Sequence, residues 1–226
     1  MGCSGSSELS VKPNEPVIKP AQNEIDNNQT NKSPETSQEP EKPLKEDKGI
    51  IEKPVLLPTK PMSTAKEIFE YQNIARQHPE CIVDKLKELT QDPIQKHSSN
   101  TLKEVIYDMS VKKPLEPLEW SEELYLACKD HIENLRPKEM INDRGSNGST
   151  IYERANKYGE FKKICGENIQ FGGYEAKEII LSLIIDAKSS IKTHRRTLME
   201  PKFTKGAVCS GPHAKYGVWT VFAYSE

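Results

Sequence analysis

The fold turns on Lys202-Phe203-Thr204-Lys205-Gly206-Ala207-Val208-Cys209-Ser210-Gly211 and Lys215-Tyr216-Gly217-Val218-Trp219-Thr220-Val221-Phe222-Ala223-Tyr224. Both runs are rich in β-branched and aromatic residues, and Gly211-Pro212-His213 between them is a turn signal. The pair reads as an antiparallel hairpin, and everything upstream of it has a different period.

Glu175 to Ser190 places Ile179, Ile180, Leu183 and Ile184 at helical spacing. Further back, Trp120 to Pro137 reads as a helix capped by Ser121, with Glu122 and Glu123 at its positive end and Pro137 as its stop. Its apolar stripe is Leu124, Ala127, Cys128, His131, Ile132 and Leu135, where His131 reads as a hydrogen-bonded core histidine rather than a ligand. Ser63 to Glu80 predicts a first helix capped by Ser63 and ended by Pro79, with a second in Cys81 to Thr90. Asn142 to Gly148 is a loop by composition, Thr150 with Glu153 has capping-box spacing, and Tyr158-Gly159 reads as the end of a short helix. Helices first and strands last give an α+β class or a layered sandwich.

The chain has 226 residues, enough for one ordinary domain plus an appendage. The appendage is residues 1–61, which hold nine of the sixteen prolines, many Glu, Lys, Asn and Ser, and few aromatics. Such a stretch buries too little apolar surface to offset its ordering entropy, so it is expected to be a disordered tether ahead of a domain at 62–226. Its 8 Lys against 10 Asp plus Glu, and the net charge of −2 overall, lack the basic balance of a nucleic-acid binder. No secretory leader is evident and no apolar run nears the ~20 residues that span a bilayer, so a cytosolic, non-secreted protein is expected. Five cysteines, Cys3, Cys81, Cys128, Cys165 and Cys209, form no CxxC pair and read as reduced thiols, Cys128 and Cys209 as packing residues.

The opening Met1-Gly2-Cys3-Ser4-Gly5-Ser6 fits the N-myristoylation pattern, with Gly2 acylated once the Met is removed. One acyl chain anchors only marginally, and no Lys or Arg precedes Lys12, so palmitoylation of Cys3 is the expected second anchor. This places the protein at the cytoplasmic face of a membrane.

Several landmarks fall in order along the domain: Asn73-Ile74-Ala75-Arg76 with Pro79; Trp120, Leu124 and Ala127; Gly145 to Ser149 followed by Arg154 and Tyr158-Gly159; Gly166-Glu167-Asn168-Ile169; Ser189 to Arg195; and Pro201-Lys202-Phe203 with Gly206-Ala207-Val208. The set resembles the CAP superfamily of cysteine-rich secretory proteins, antigen 5 and pathogenesis-related proteins, also called SCP domains, over residues 63–226. The likeness extends to its intracellular, N-myristoylated, Golgi-associated branch. It implies a three-layer α/β/α sandwich, and for function a non-catalytic module handling lipid or sterol, a membrane, or a protein partner or second copy. Read alone, GENI would be a glycine turn with Glu167 held by backbone amides.

The family's cleft gathers two His and two acidic residues, and in some members a divalent metal. Carried over, the positions are Glu167, His194, Asp186 and, where a histidine would stand, Asp143. One His with three carboxylates tilts the set from zinc toward oxygen-preferring ions; a salt bridge of Asp186 to a nearby base is the ordinary alternative. A second class of function is a metal-assisted or serine-type hydrolase on Glu167 and His194 with Ser189, although no G-x-S-x-G elbow is present. Six basic residues from Lys188 to Lys205, with Lys192, Arg195 and Arg196 central, offer either a face for anionic lipid or a solvated helix end.

Overall fold

The computed structural model describes residues 62–94, 96–161 and 164–226; the expected tether, Gly2 and Cys3 lie outside the described residues. The chain divides into two units, Met1–Ile50 and Ile51–Glu226, and the described part belongs to the second. In chain order its elements are α1 (Ala65–Gln77), α2 (Pro79–Gln91), α3 (Ser99–Ser110), β1 (Glu119–Trp120), α4 (Glu122–Leu135), α5 (Ile151–Ala155), β2 (Cys165–Phe171), α6 (Ala176–Ile185), α7 (Thr193–Leu198), β3 (Lys205–His213) and β4 (Gly217–Ser225).

The C-terminal runs form the expected hairpin, β3 antiparallel to β4 with Val208 opposite Phe222. Its turn lies three residues later than predicted: Gly211, Pro212 and His213 remain paired in β3, and the connection is Ala214 to Tyr216. β2 adds antiparallel to β4, and β1 adds parallel to β3, giving the order β1-β3-β4-β2. Strand alternation sends successive side chains to opposite faces. Val208, Phe222 and Tyr224 pack under α1, α2, α3, α6 and α7, whereas Ala207, Cys209, Trp219, Val221 and Ala223 pack under α4 and α5. The result is an α+β protein with helices on both faces of one sheet.

Local signals explain the helices. α1 opens on a capping box in which Thr64, not Ser63, accepts the Glu67 N–H while Glu67 bonds back to Thr64. Ser63 instead ties the chain to the start of α6: its N–H donates to the Tyr174 carbonyl at 2.8 Å, and its hydroxyl accepts the Ala176 N–H at 3.1 Å. Pro79 both ends α1 and begins α2, since a helix-starting proline loses no needed donor. α4 is capped by Ser121 and buries the predicted stripe, His131 included.

The GENI segment is a strand, not a glycine turn. Seven residues of β2 pair with β4, and Gly166 is required because a Cβ there would stand 2.6 Å from Phe203 Cζ. Phe203 stacks on Tyr224, with ring centroids 5.4 Å apart. Gly172 and Gly173, at φ +78° and +76°, turn the chain from β2 toward α6.

Candidate functional site

β2 is an edge strand, and its alternation builds a cleft wall. Glu167 pairs with Ala223, so Glu167, Ile169 and Phe171 face the α4–α5 side, while Asn168 and Gln170 face the other. The cleft, about 770 Å³, is lined by these three residues, by Ile141 to Arg144 and Thr150-Ile151 from the preceding loop, and by Thr193 and His194 of α7. On the reverse face the Asn168 amide donates to the His194 carbonyl at 3.0 Å and to Tyr224 Oη at 3.3 Å. One strand thus supplies the cleft carboxyl and fixes the helix carrying the cleft imidazole.

Glu167 is held by a buried arginine, not by backbone amides. Arg154 Nη2 donates to Glu167 Oε1, and their side chains are 2 % and 8 % exposed. Arg154 Nη1 donates to the Ser149 carbonyl at 2.8 Å and the Asp143 carbonyl at 3.4 Å, so the same guanidinium fixes the loop. Burial pushes the Glu167 carboxyl up to about 7, against the pull of the Arg154 charge. Arg154 is the site residue that reading the sequence passes over. Its signal is an arginine beside Ala155 on the inward side of a helix only five residues long, where a charge needs a partner.

His194 and Asp186 form the second pair. Asp186 ends α6 in the left-handed conformation, φ 44°, which Asp tolerates better than most residues. Its Oδ2 accepts the His194 N–H and its Oδ1 faces His194 Nδ1, both at 2.9 Å. The carboxylate is 3 % exposed, the imidazole 40 %, so Asp186 lies beneath the ring rather than in the cleft. The partner of the Asp186 carboxylate is thus the cleft imidazole itself.

Of the four carried-over residues the cleft brings together Glu167, His194 and Asp143, but not as a ligand set. Glu167 belongs to Arg154, Asp186 is enclosed under His194, and Asp143 stands exposed at the cleft mouth. Among the described residues no three of His, Cys, Asp and Glu are arranged to hold a metal ion. The donor set does not fit a divalent metal, because the guanidinium already neutralises Glu167 and Asp186 is taken up by the His194 backbone and ring. Ser189 is engaged locally rather than with the His194 ring: its Oγ accepts the Thr193 N–H at 3.2 Å.

Two further expectations resolve. His131 is a core residue; one ring nitrogen, Nε2, lies 2.9 Å from the Asn142 carbonyl, and burial together with the Arg154 charge lowers its pKa to about 4. The basic face loses its centre, since Arg195 is buried. It bonds Glu104, Asp108 and the Ile184 carbonyl, tying α7 to α3 and α6. Lys192 is half-buried, donating to the Asp186 carbonyl at 3.2 Å, and Arg196 remains exposed. No helix among the described residues is long and apolar enough to cross a membrane.

A sheet covered by helices on both faces, with an edge-strand Gly-Glu-Asn beside a helix bearing His-Arg, defines the class. The model of the cysteine-rich secretory protein family, CAP, matches residues 69–224, and the chain belongs to that family. Comparison with curated proteins gives no match. Among solved structures the chain is similar to an outer surface protein from Borrelia burgdorferi. The identity is 15 % and the TM-score 0.46, covering 73 % of this chain and 96 % of that one. It is also similar to an extracellular protein containing a SCP domain from Bacillus anthracis str. Ames. There the identity is 16 % and the TM-score 0.40, over 50 % of this chain and 35 % of that one.

Proposed function

We propose that this CAP domain is a non-catalytic binding module, held at the cytosolic face of a membrane by acyl chains on Gly2 and Cys3, whose cleft takes an amphipathic ligand of the lipid or sterol class. The observation that carries this reading is the buried Arg154–Glu167 pair. It removes the cleft's one deep carboxylate from metal binding and leaves apolar walls of Ile141, Ile151, Ile169 and Phe171 beside the polar groups Asn142, Asp143, Arg144, Thr150, Thr193 and His194. A volume of about 770 Å³ lies within the range of small-molecule sites, and a lining that mixes apolar walls with polar groups suits an amphipathic ligand. A protein partner, a second copy included, is the competing ligand class.

The test is pelleting of the full chain with membranes of its own cells, beside Gly2→Ala and Cys3→Ser, followed by organic extraction and mass spectrometry of lipid retained by the detergent-released protein. Loss of pelleting in Gly2→Ala, with lipid retained by the unmutated chain and lost in Phe171→Asp, supports the reading. Pelleting that survives Gly2→Ala and disappears in Cys3→Ser puts the anchor on the cysteine alone and removes the cytosolic assignment. No retained lipid gives the cleft to another ligand.

A hydrolase is the second reading, favoured by one observation: Asp186 orients the His194 ring as the third member of a catalytic set orients a general base. Ester or peptide cleavage abolished by His194→Ala would establish it.

A further inference from the structure

Outside the cleft, three large apolar side chains stand far out of the surface: Tyr107 is 71 % exposed, Val111 61 % and Ile191 66 %. Tyr107 and Val111 are four positions apart at the end of α3, on the side away from the buried Leu102, Val105 and Met109, so they share one face. Ile191 lies in the turn between α6 and α7.

Ion pairs hold that turn against α3. Lys192, the residue after Ile191, brings its Nζ to 3.9 Å from Glu104 Oε2, and Glu104 stands one helical turn before Tyr107. The buried Arg195 bonds Glu104 and Asp108 as well. The three apolar side chains therefore belong to one braced surface rather than to three unrelated places.

We propose that this surface is a second membrane contact, through which Tyr107, Val111 and Ile191 enter the headgroup region of an anionic bilayer. Charge supplies the first argument. Residues 99–113 and 187–196 together hold seven Lys and Arg against two carboxylates, Glu104 and Asp108. Both carboxylates are already matched by Arg195, Lys192 and Lys112, at 2.8 to 3.9 Å. That leaves Lys103, Lys113, Lys188 and Arg196 exposed and outside any ion pair among the described residues. Such a surplus is attracted by anionic headgroups once it comes within a Debye length of them.

The mixture of residues supplies the second argument. A ring and two branched aliphatic groups set among lysines suit a bilayer interface, where the apolar groups reach the acyl boundary while the lysine stems extend toward the headgroups. Lysine is depleted from the core of protein interfaces, so the same mixture is a poor seat for a protein.

The contact also bears on the cleft. Ile191 is two residues before Thr193, which with His194 forms the α7 wall of the cleft, so a bilayer at this surface lies beside the route by which an amphipathic ligand would enter. The inference rests on the reading that the chain works at a membrane, but not on which ligand the cleft takes.

The test is sedimentation of the full chain carrying Gly2→Ala and Cys3→Ser with phosphatidylcholine vesicles, prepared with and without phosphatidylserine. Because both acyl acceptors are removed in every sample, the result is independent of the anchor and of its pelleting test. Binding is expected only with phosphatidylserine present, and it should weaken as salt is raised. Val111→Asp and Ile191→Asp should each lower the partition coefficient about tenfold. Ile74→Asp, at a position on α1 that is 42 % exposed, should bind as the parent chain does. All three substituted positions are exposed, so the fold survives each change. Equal binding by the parent and both face variants, equal binding to vesicles without phosphatidylserine, or no binding at all overturns the proposal and gives the face to a protein partner.

Discussion

The two faces of the sheet treat a buried arginine in opposite ways. Under α1, Arg76 gives its donors, among the described residues, only to carbonyls, those of Glu116, Leu198, Glu200 and Phe203, at 2.8 to 3.3 Å. Burial draws its pKa below the ordinary value, and among the described residues no carboxylate forms an ion pair with it. Under α5, Arg154 meets the carboxylate of Glu167 at a cleft. The first arrangement ties two segments, the one at Glu116 and the stretch from Leu198 to Phe203, to α1 and is architecture. The second fixes the charge of a site, so identical side chains, equally buried, differ in function by what accepts their protons.

The contrast can be broken first at Arg76. Arg76→Met strands four carbonyls and is expected to destabilise by about 4 kcal/mol, read from the urea midpoint at unchanged slope. A loss under about 1 kcal/mol would mean that water replaces the guanidinium and that Arg76 is not the tie between those loops.

Next comes an asymmetry within the other pair. Glu167→Met leaves a guanidinium that cannot lose its proton, a change expected to cost about 3–4 kcal/mol. Arg154→Met should cost about 2 kcal/mol less in charge terms, because a carboxyl already pushed to about 7 can take up a proton and stay neutral. Equal losses from the two substitutions would show that loop anchoring by Arg154, not charge, dominates.

A smaller effect sets two groups on the α4–α5 face against each other by pH. His131 binds a proton near its ordinary 6.5 when unfolded and only near 4 when folded, so its contribution to stability falls as pH drops through that window, by up to about 3 kcal/mol. Glu167 runs the other way: it is protonated near 7 folded and near 4.5 unfolded, and so favours the folded state as pH falls below 7. His131→Gln should flatten the acid loss, whereas Glu167→Gln should steepen it, as followed by thermal melts at a series of pH values. The smallest expected effect is at the first helix: Thr64→Ala, which removes the capping box, should cost about 1 kcal/mol, and Ser63→Ala should leave that cap untouched.

Much of the architecture is legible because it rests on local chemistry. The α4 stripe, the α5 capping box and the final hairpin follow from spacing and turn residues alone, and the family landmarks place them in a three-layer order. The helix α3 escapes such a reading although Leu102, Val105 and Met109 recur on one side of it behind the Ser98 cap. Three apolar residues among polar ones give a weak period. The edge strand is easily misread because Gly166 suggests a turn, and only the Phe203 ring beneath it explains why glycine is needed there.

Long-range pairing is the part that spacing cannot reveal. Glu167 and Arg154 are 13 positions apart, and Arg195 lies about 90 positions from Glu104 and Asp108. A basic run therefore looks like a surface until the partners of its central residue are placed. His194 and Asp186 are both recognisable as cleft candidates, but the left-handed backbone at Asp186, which puts its carboxylate beneath the imidazole, leaves no trace in residue type.

The alternation of β2 has an evolutionary corollary. Because Glu167 faces the cleft and Asn168 anchors α7 from behind, inserting or deleting one residue within Cys165–Phe171 would exchange the two roles and lose both. Length changes between α5 and β2 carry no such penalty, so descendants of this chain should drift freely in loop size there while preserving the count of residues across those seven positions.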